Sequence, residues 1–166
     1  MKCEFCNLSE NDRKYFLYQN DYWDVYLADK QNYIGRCIIV CRRHCRDISD
    51  LTDHEWIAFK NLAAQLENII RGSVGADLFN LACLMNDEYK KEKPNPHLHF
   101  HLIPRYSKLI KIGDKQFEDK EWSHHYNNKA PVLLENEEIE KFFIVLKKSS
   151  ILSCAKIKAV HCELLF

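Results

Sequence analysis

Asn95-Pro96-His97-Leu98-His99-Phe100-His101-Leu102-Ile103-Pro104-Arg105 is the stretch that decides how this chain is read. Three histidines alternate strictly with leucine and phenylalanine, the period-2 pattern of a strand buried on one side. Such a strand places His97, His99 and His101 on one face and turns Leu98, Phe100 and Leu102 toward a core. Pro104, which has no N–H to give, is expected to stop the strand, with Arg105 standing just beyond it. One histidine in a strand is usually an ordinary satisfied imidazole. Three in strict alternation lower β-propensity and gain nothing in packing, so the row points to chemistry.

Geometry limits that chemistry. The outer histidines stand about 13 Å apart along a strand, whereas the ligands of one zinc ion all lie about 2 Å from it. Neighbouring pairs can share an ion, but all three cannot. A division of labour follows, with one ring reactive and the others orienting, protonating or binding metal. A neutral imidazole attacks phosphorus in line when one nitrogen is held by an acceptor and the other presents its lone pair, so phosphoryl or nucleotidyl transfer suits the row.

Just before the row, Asn86 to Pro94 forms a charged loop too long for a tight hairpin, placed to lie over the histidine face. Before that, Asp77 to Met85 reads as a strand. Thr52-Asp53-His54-Glu55 is a capping box that starts a helix, and Trp56, Phe59, Leu62, Ala63, Leu66, Ile69 and Ile70 repeat at helical spacing until Gly72 ends the run. The aromatics of that helix are expected in the core. Trp23 to Leu27 and Arg36 to Cys41 read as an antiparallel pair of strands, and His44 follows at the exit of the second. Cys3-x-x-Cys6 opens the chain at zinc-knuckle spacing. Alone it is a half-site, and a redox CxxC is the competing reading, although that motif normally begins a helix after a strand. After Arg105, Asn136 begins a second amphipathic segment in which Ile139, Phe142, Phe143 and Leu146 share a face. In the final stretch Cys154, His161 and Cys162 form a weakly spaced alternative metal set.

The whole chain sets the outer bounds. Its 166 residues suit one domain, and 46% hydrophobic with 29% charged residues is a globular composition. Lys plus Arg and Asp plus Glu number 24 each, for a net charge of zero. No global basic field exists to hold nucleic acid by counterion release. The N-terminus has no apolar signal-like run and no uncharged stretch reaches membrane-span length, so a cytoplasmic protein that does not engage membranes is expected. Its eight cysteines then read as reduced thiols or metal ligands.

His97-Leu98-His99-Phe100-His101-Leu102-Ile103, continued by Pro104-Arg105-Tyr106, resembles the signature of the histidine triad (HIT) family of nucleotide hydrolases and transferases. The resemblance extends through Ile38-Ile39-Val40, Arg42-Arg43-His44, Leu51-Thr52, Phe79-Asn80 and Asn86, and covers the chain from about Cys3 to Tyr126. It implies an α+β fold with an antiparallel sheet of about five strands, the long helix packed on it and a C-terminal helix added. Residues 1–130 would be the catalytic domain and 131–166 an extension packed on it.

The resemblance also implies roles. His99 would attack the α-phosphate of a dinucleoside polyphosphate or nucleoside phosphoramidate, forming a nucleotidyl-histidine, and His101 would bond phosphate oxygens or the leaving group. Asn80, Asn86 and Arg105 would bind substrate. In members with an N-terminal cysteine pair, Cys3, Cys6, His44 and His97 would hold a structural zinc; in members without it, His44 and His97 join a catalytic relay behind the nucleophile. A homodimer is implied as well. Where many members have Gly-Gln before the triad, this chain has Glu92-Lys93-Pro94-Asn95-Pro96, leaving Asn86, Lys93 or Asn95 to replace the glutamine's phosphate contact. Two rival readings are a zinc-stabilised nucleotide-binding module with little catalysis, and a metal-dependent hydrolase with zinc at His99 and a neighbour.

Overall fold

The structure, a computed structural model, describes residues 3–10, 13–127, 129, 131–132 and 134–163, with side chains as far as Ile151. Cys154, His161 and Cys162 therefore lie outside the described side chains. In chain order the elements are strands β1 (Phe16–Gln19), β2 (Trp23–Leu27) and β3 (Cys37–Cys41), helix α1 (Asp53–Val74), strands β4 (Leu78–Ala82), β5 (His99–Arg105), β6 (Ile110–Ile112) and β7 (Lys115–Phe117), and helix α2 (Asn136–Glu163). The first five strands form one antiparallel sheet in the order β1-β2-β3-β5-β4, and β6 pairs with β7 as a separate hairpin. This is the expected α+β architecture. Among the described residues no helix is long and apolar enough to cross a membrane.

Alternation decides the faces of β5. Leu98, Phe100 and Leu102 are essentially fully buried against Trp23, Phe59 and Leu66 in the main core. Each such side chain contributes about 1.5–3 kcal/mol through its burial. Phe100 packs on Phe59 of α1 with ring centroids 4.4 Å apart, which fixes the helix across the sheet from the histidines. Trp56 is less deeply placed than its spacing suggests: it stays 38% exposed while touching Phe59 and Phe100 by its ring.

The ends of α1 follow their signals with one shift. Thr52 and Glu55 form the reciprocal capping box, but the helix runs through Gly72 and stops at Gly75, whose left-handed φ of 73° lets its N–H bond Arg71 O at 2.9 Å. Glu55 also accepts two hydrogen bonds from Arg43, at 2.6 and 3.0 Å, and is buried. The Arg43 guanidinium, the largest influence, holds the Glu55 carboxyl down at about 2.

Two expectations about β5 change. The strand begins at His99 rather than His97, and it continues through Pro104 to Arg105. Pairing with β3 ends at Leu102, so the N–H that Pro104 lacks has no β3 partner to lose, while β4 accompanies the strand as far as Arg105. Pro104 instead packs by Gly35, where a Cβ would meet Ile70 at 3.1 Å and Pro104 at 3.3 Å; with φ at +82°, that position needs glycine. Helix α2 lies on α1 and β1 through buried Ile139, Phe142 and Leu146, and Lys147 Nζ donates to the Phe16 and Leu17 carbonyls.

Candidate active site and metal centre

The three imidazoles share a face of the sheet, but each has a different partner, and the partners dictate the tautomers. A carbonyl oxygen only accepts, so His97 Nε2, 2.6 Å from Cys41 O, carries the proton and leaves Nδ1 with its lone pair. His99 is the reverse: Nδ1 lies 2.8 Å from the His97 carbonyl and must donate, so the lone pair is on Nε2. His101 Nδ1 faces Arg36 Nη2 at 3.3 Å. A guanidinium only donates, hence His101 accepts at Nδ1 and carries its proton on Nε2. Burial lowers the pKa of all three rings; His101, next to His99 and cationic Arg36 as well, falls to about 4. At neutral pH the row is therefore uncharged, with a lone pair at His99 Nε2 and a donor at His101 Nε2.

At the His97 end a candidate metal centre is assembled from three separate segments. The loop carrying Cys3 and Cys6, the exit of β3 carrying His44, and the entry to β5 carrying His97 bring four ligand atoms within 4.8 Å of one another. His97 Nδ1 lies 3.1 Å from Cys3 Sγ and 3.5 Å from Cys6 Sγ, and His44 Nδ1 lies 3.5 Å from Cys6 Sγ. Ligands about 2.0–2.3 Å from a tetrahedral zinc ion are separated by roughly these distances, and a Cys₂His₂ donor set suits that ion. Burial and the neighbouring Cys3 raise the Cys6 thiol, a penalty that a bound cation reverses. The residues therefore fit zinc. His99 is not among the four, and both His97 nitrogens are engaged, so it is the His97 carbonyl rather than its ring that orients His99.

His99 and His101 open onto a cleft of ≈ 710 Å³. Its far lip is the loop after β4, with Asn86, Asp87 and Lys91, which lies over the histidine face as its length suggested. Phe5, set between the two cysteines, covers His99 with centroids 5.0 Å apart and His97 at 5.5 Å. Phe5 and Arg36 are site residues that the sequence reading did not single out. Arg36 shares the alternation of Ile38 and Val40, which pair with His101 and His99, so the signal was present but needed the β3–β5 register.

Of the residues assigned to substrate, Asn86 and the candidate replacement Asn95 line the cleft, whereas Asn80 and Arg105 are bound to each other away from it. Arg105 is 2% exposed, ion-paired with Asp119 at 2.6 Å, and donates to Asn80 Oδ1 at 2.8 Å and to the His124 and Glu121 carbonyls. Those bonds occupy its planar fork and fasten the segment after β7 to the end of β5.

Comparisons agree with this fold. The sequence model of one family, the HIT domain, matches residues 9–108. A hypothetical histidine triad nucleotide-binding protein from Sulfolobus tokodaii superposes with a TM-score of 0.66 at 17% identity, over 89% of this chain and 91% of its own. A Zn-bound histidine triad family protein from Mycobacterium smegmatis gives 0.59 at 18%, over 95% and 96%. The diadenosine triphosphate hydrolase of Plasmodium falciparum gives 0.56 at 16%, over 85% and 79%. Among curated proteins none matches. With well over half its length matched by one family, this chain belongs to the HIT domain family of nucleotide hydrolases and transferases, and its Cys3, Cys6, His44 and His97 cluster fits the zinc-binding branch.

Proposed function

We propose that the protein is a nucleotidyl-transfer enzyme that cleaves nucleoside phosphate conjugates at the α-phosphate through a covalent nucleotidyl-His99 intermediate. The observation that carries this is the tautomer of His99: its Nδ1–H is tied to the His97 carbonyl, so the ring that lines the cleft has its lone pair on Nε2. That nitrogen attacks phosphorus and the bond to the leaving group breaks. The resulting imidazolium keeps its Nδ1–H against the carbonyl dipole, which stabilises the new positive charge. His101 Nε2–H donates to a phosphate oxygen or to the departing atom, and Asn86, which lines the same cleft, binds phosphate. Water then attacks the phosphorus, releasing the nucleoside monophosphate and restoring His99.

Zinc, where bound, supplies cross-linking: Cys3, Cys6, His44 and His97 would hold it, and with it the entry to β5 and the position of Phe5 over His99. The six described cysteines are all free thiols, consistent with a cytoplasmic setting. Residues 1–130 act as the catalytic domain and 131–166 as its extension. We also propose a homodimer joined through β4, an edge strand that exposes Leu78 and Leu81; a mass measurement in solution checks it.

Replacing His99 by Ala tests the mechanism. The His99→Ala protein is expected to fold and bind nucleotide while its turnover of adenylated substrates drops at least about 10³-fold. Steady-state turnover near the wild-type value would overturn it.

A further inference from the structure

Arg36 is unlike the other cations of the cleft. Lys90 and Lys91 stand on the lip, each answered by its own acid three residues earlier, Asp87 and Glu88, and Lys30 is exposed to water. Arg36 is half-buried just before β3, on the face that Ile38 and His101 share, and Gly35 beside it is locked by its left-handed backbone and close packing. Its Nη1 donates to Asn32 Oδ1 at 3.1 Å and its Nη2 to His101 Nδ1 at 3.3 Å. Both partners are neutral, so they orient the guanidinium without balancing its charge. Its Nε is buried with no hydrogen-bond partner, and no carboxylate among the described residues lies within ion-pair distance of it. A desolvated cation without a counter-ion is unfavourable, and the missing anion is expected from a ligand. Burial also depresses the Arg36 pKa, against a smaller opposing pull from Asp29, which makes no ion pair with it.

Along the face the order is metal centre, His99, His101, Arg36. On the metal side Phe5 presents an uncharged ring to His99, which offers nothing to a phosphate. On the other side lie a donor and then a cation. We propose that Arg36 seats the phosphates beyond the one attacked, so that the preferred substrates are nucleotides whose leaving group is itself an anionic phosphate chain. This rests on the nucleotidyl-transfer reading and selects, within it, polyphosphates over amine conjugates. In the step itself, His99 Nε2 forms its bond to the α-phosphorus as the bond to the bridging oxygen breaks. The electron pair leaves with that oxygen, the nucleoside polyphosphate departs as an anion, and Arg36 balances the growing negative charge without transferring a proton. An amine leaving group must instead gain a proton and has no charge for Arg36 to meet.

The test compares wild type, Arg36→Met and Arg36→Lys on two substrates, diadenosine tetraphosphate and adenosine 5′-phosphoramidate, with thermal melting as the folding control. Losing Arg36 also removes the partner of His101 Nδ1, so both substrates slow. The polyphosphate is expected to slow about 100-fold more, and Arg36→Lys to recover most of that difference. A merely structural Arg36 lowers both equally, and equal losses overturn the proposal. A second measurement is independent of turnover: inorganic tripolyphosphate binding by calorimetry in the His99→Ala background. Adding Arg36→Met is expected to weaken it at least about 30-fold, and unchanged binding overturns the proposal. If wild type cleaves neither substrate, the nucleotidyl-transfer reading fails, and the tripolyphosphate result still decides for or against Arg36.

Discussion

His97 and His101 lie four residues apart on the same face, both buried enough to stay neutral, and both use Nδ1 against a partner from far away in the chain. At His97 the partner is a pair of thiols from the N-terminal loop; at His101 it is a guanidinium from the residue just before β3. The first ring offers its lone pair to a cluster that fits a metal ion, and the second turns a hydrogen-bond donor into the cleft. Identical residues in one repeating pattern thus acquire opposite chemical capacities from what faces one nitrogen.

The strongest way to break this contrast is at the metal end. The double variant Cys3→Ser, Cys6→Ser is expected to lose bound zinc altogether and at least about 3 kcal/mol of stability, read by metal analysis and denaturant unfolding. Zinc retained in that variant would place the ion at His99 and a neighbour and erase the distinction. A chelator should reproduce the loss in the wild-type protein.

Next in size is Arg105, which follows the row on β5 yet takes no part in it. Arg105→Met leaves Asp119 buried without its cation, and a loss of about 3–5 kcal/mol is expected, with KM unchanged in the protein that remains folded. A raised KM at unaltered stability would return Arg105 to the substrate.

The smallest effect sharpens the His101 end. Its folded pKa, about 4, lies below the ordinary 6.5, so between these values the unfolded chain binds a proton that the native state refuses. Above about 6.5 the group contributes no pH dependence; stability then falls as pH drops toward 4. His101→Gln is expected to flatten that part of the stability curve, and an unchanged slope would mean that His101 is not held neutral.

Much of this was legible in the residues. Alternation placed Leu98, Phe100 and Leu102 in the core, and Thr52 with Glu55 marked the start of α1. Boundaries were less so: Gly72 is tolerated inside the last turns because Gly75, not Gly72, takes the left-handed conformation, and Pro104 stays in the strand because no β3 residue asks for its N–H. Strand β1 and the β6–β7 hairpin went unread, being three or four residues long with a bulge in the first. The site divides the same way. The row announced itself, but joining Cys3 and Cys6 to His44 and His97 needed the family resemblance, and Arg36 and Phe5 needed register and loop path, which no local pattern encodes. Arg105 misled because a lone arginine after a catalytic strand looks like a phosphate ligand until Asp119 is seen beside it.

Glu55 has a mechanical consequence. One carboxylate receives the Thr52 amide and hydroxyl, at 2.8 and 3.0 Å, and the guanidinium of Arg43, whose neighbour is His44. The first turn of α1 and the loop bearing His44 are thereby riveted at a single point. Fraying of the helix and wandering of His44 become one motion, so a substitution at the start of α1, across the sheet from the cleft, is felt in the geometry of the Cys3, Cys6, His44 and His97 cluster.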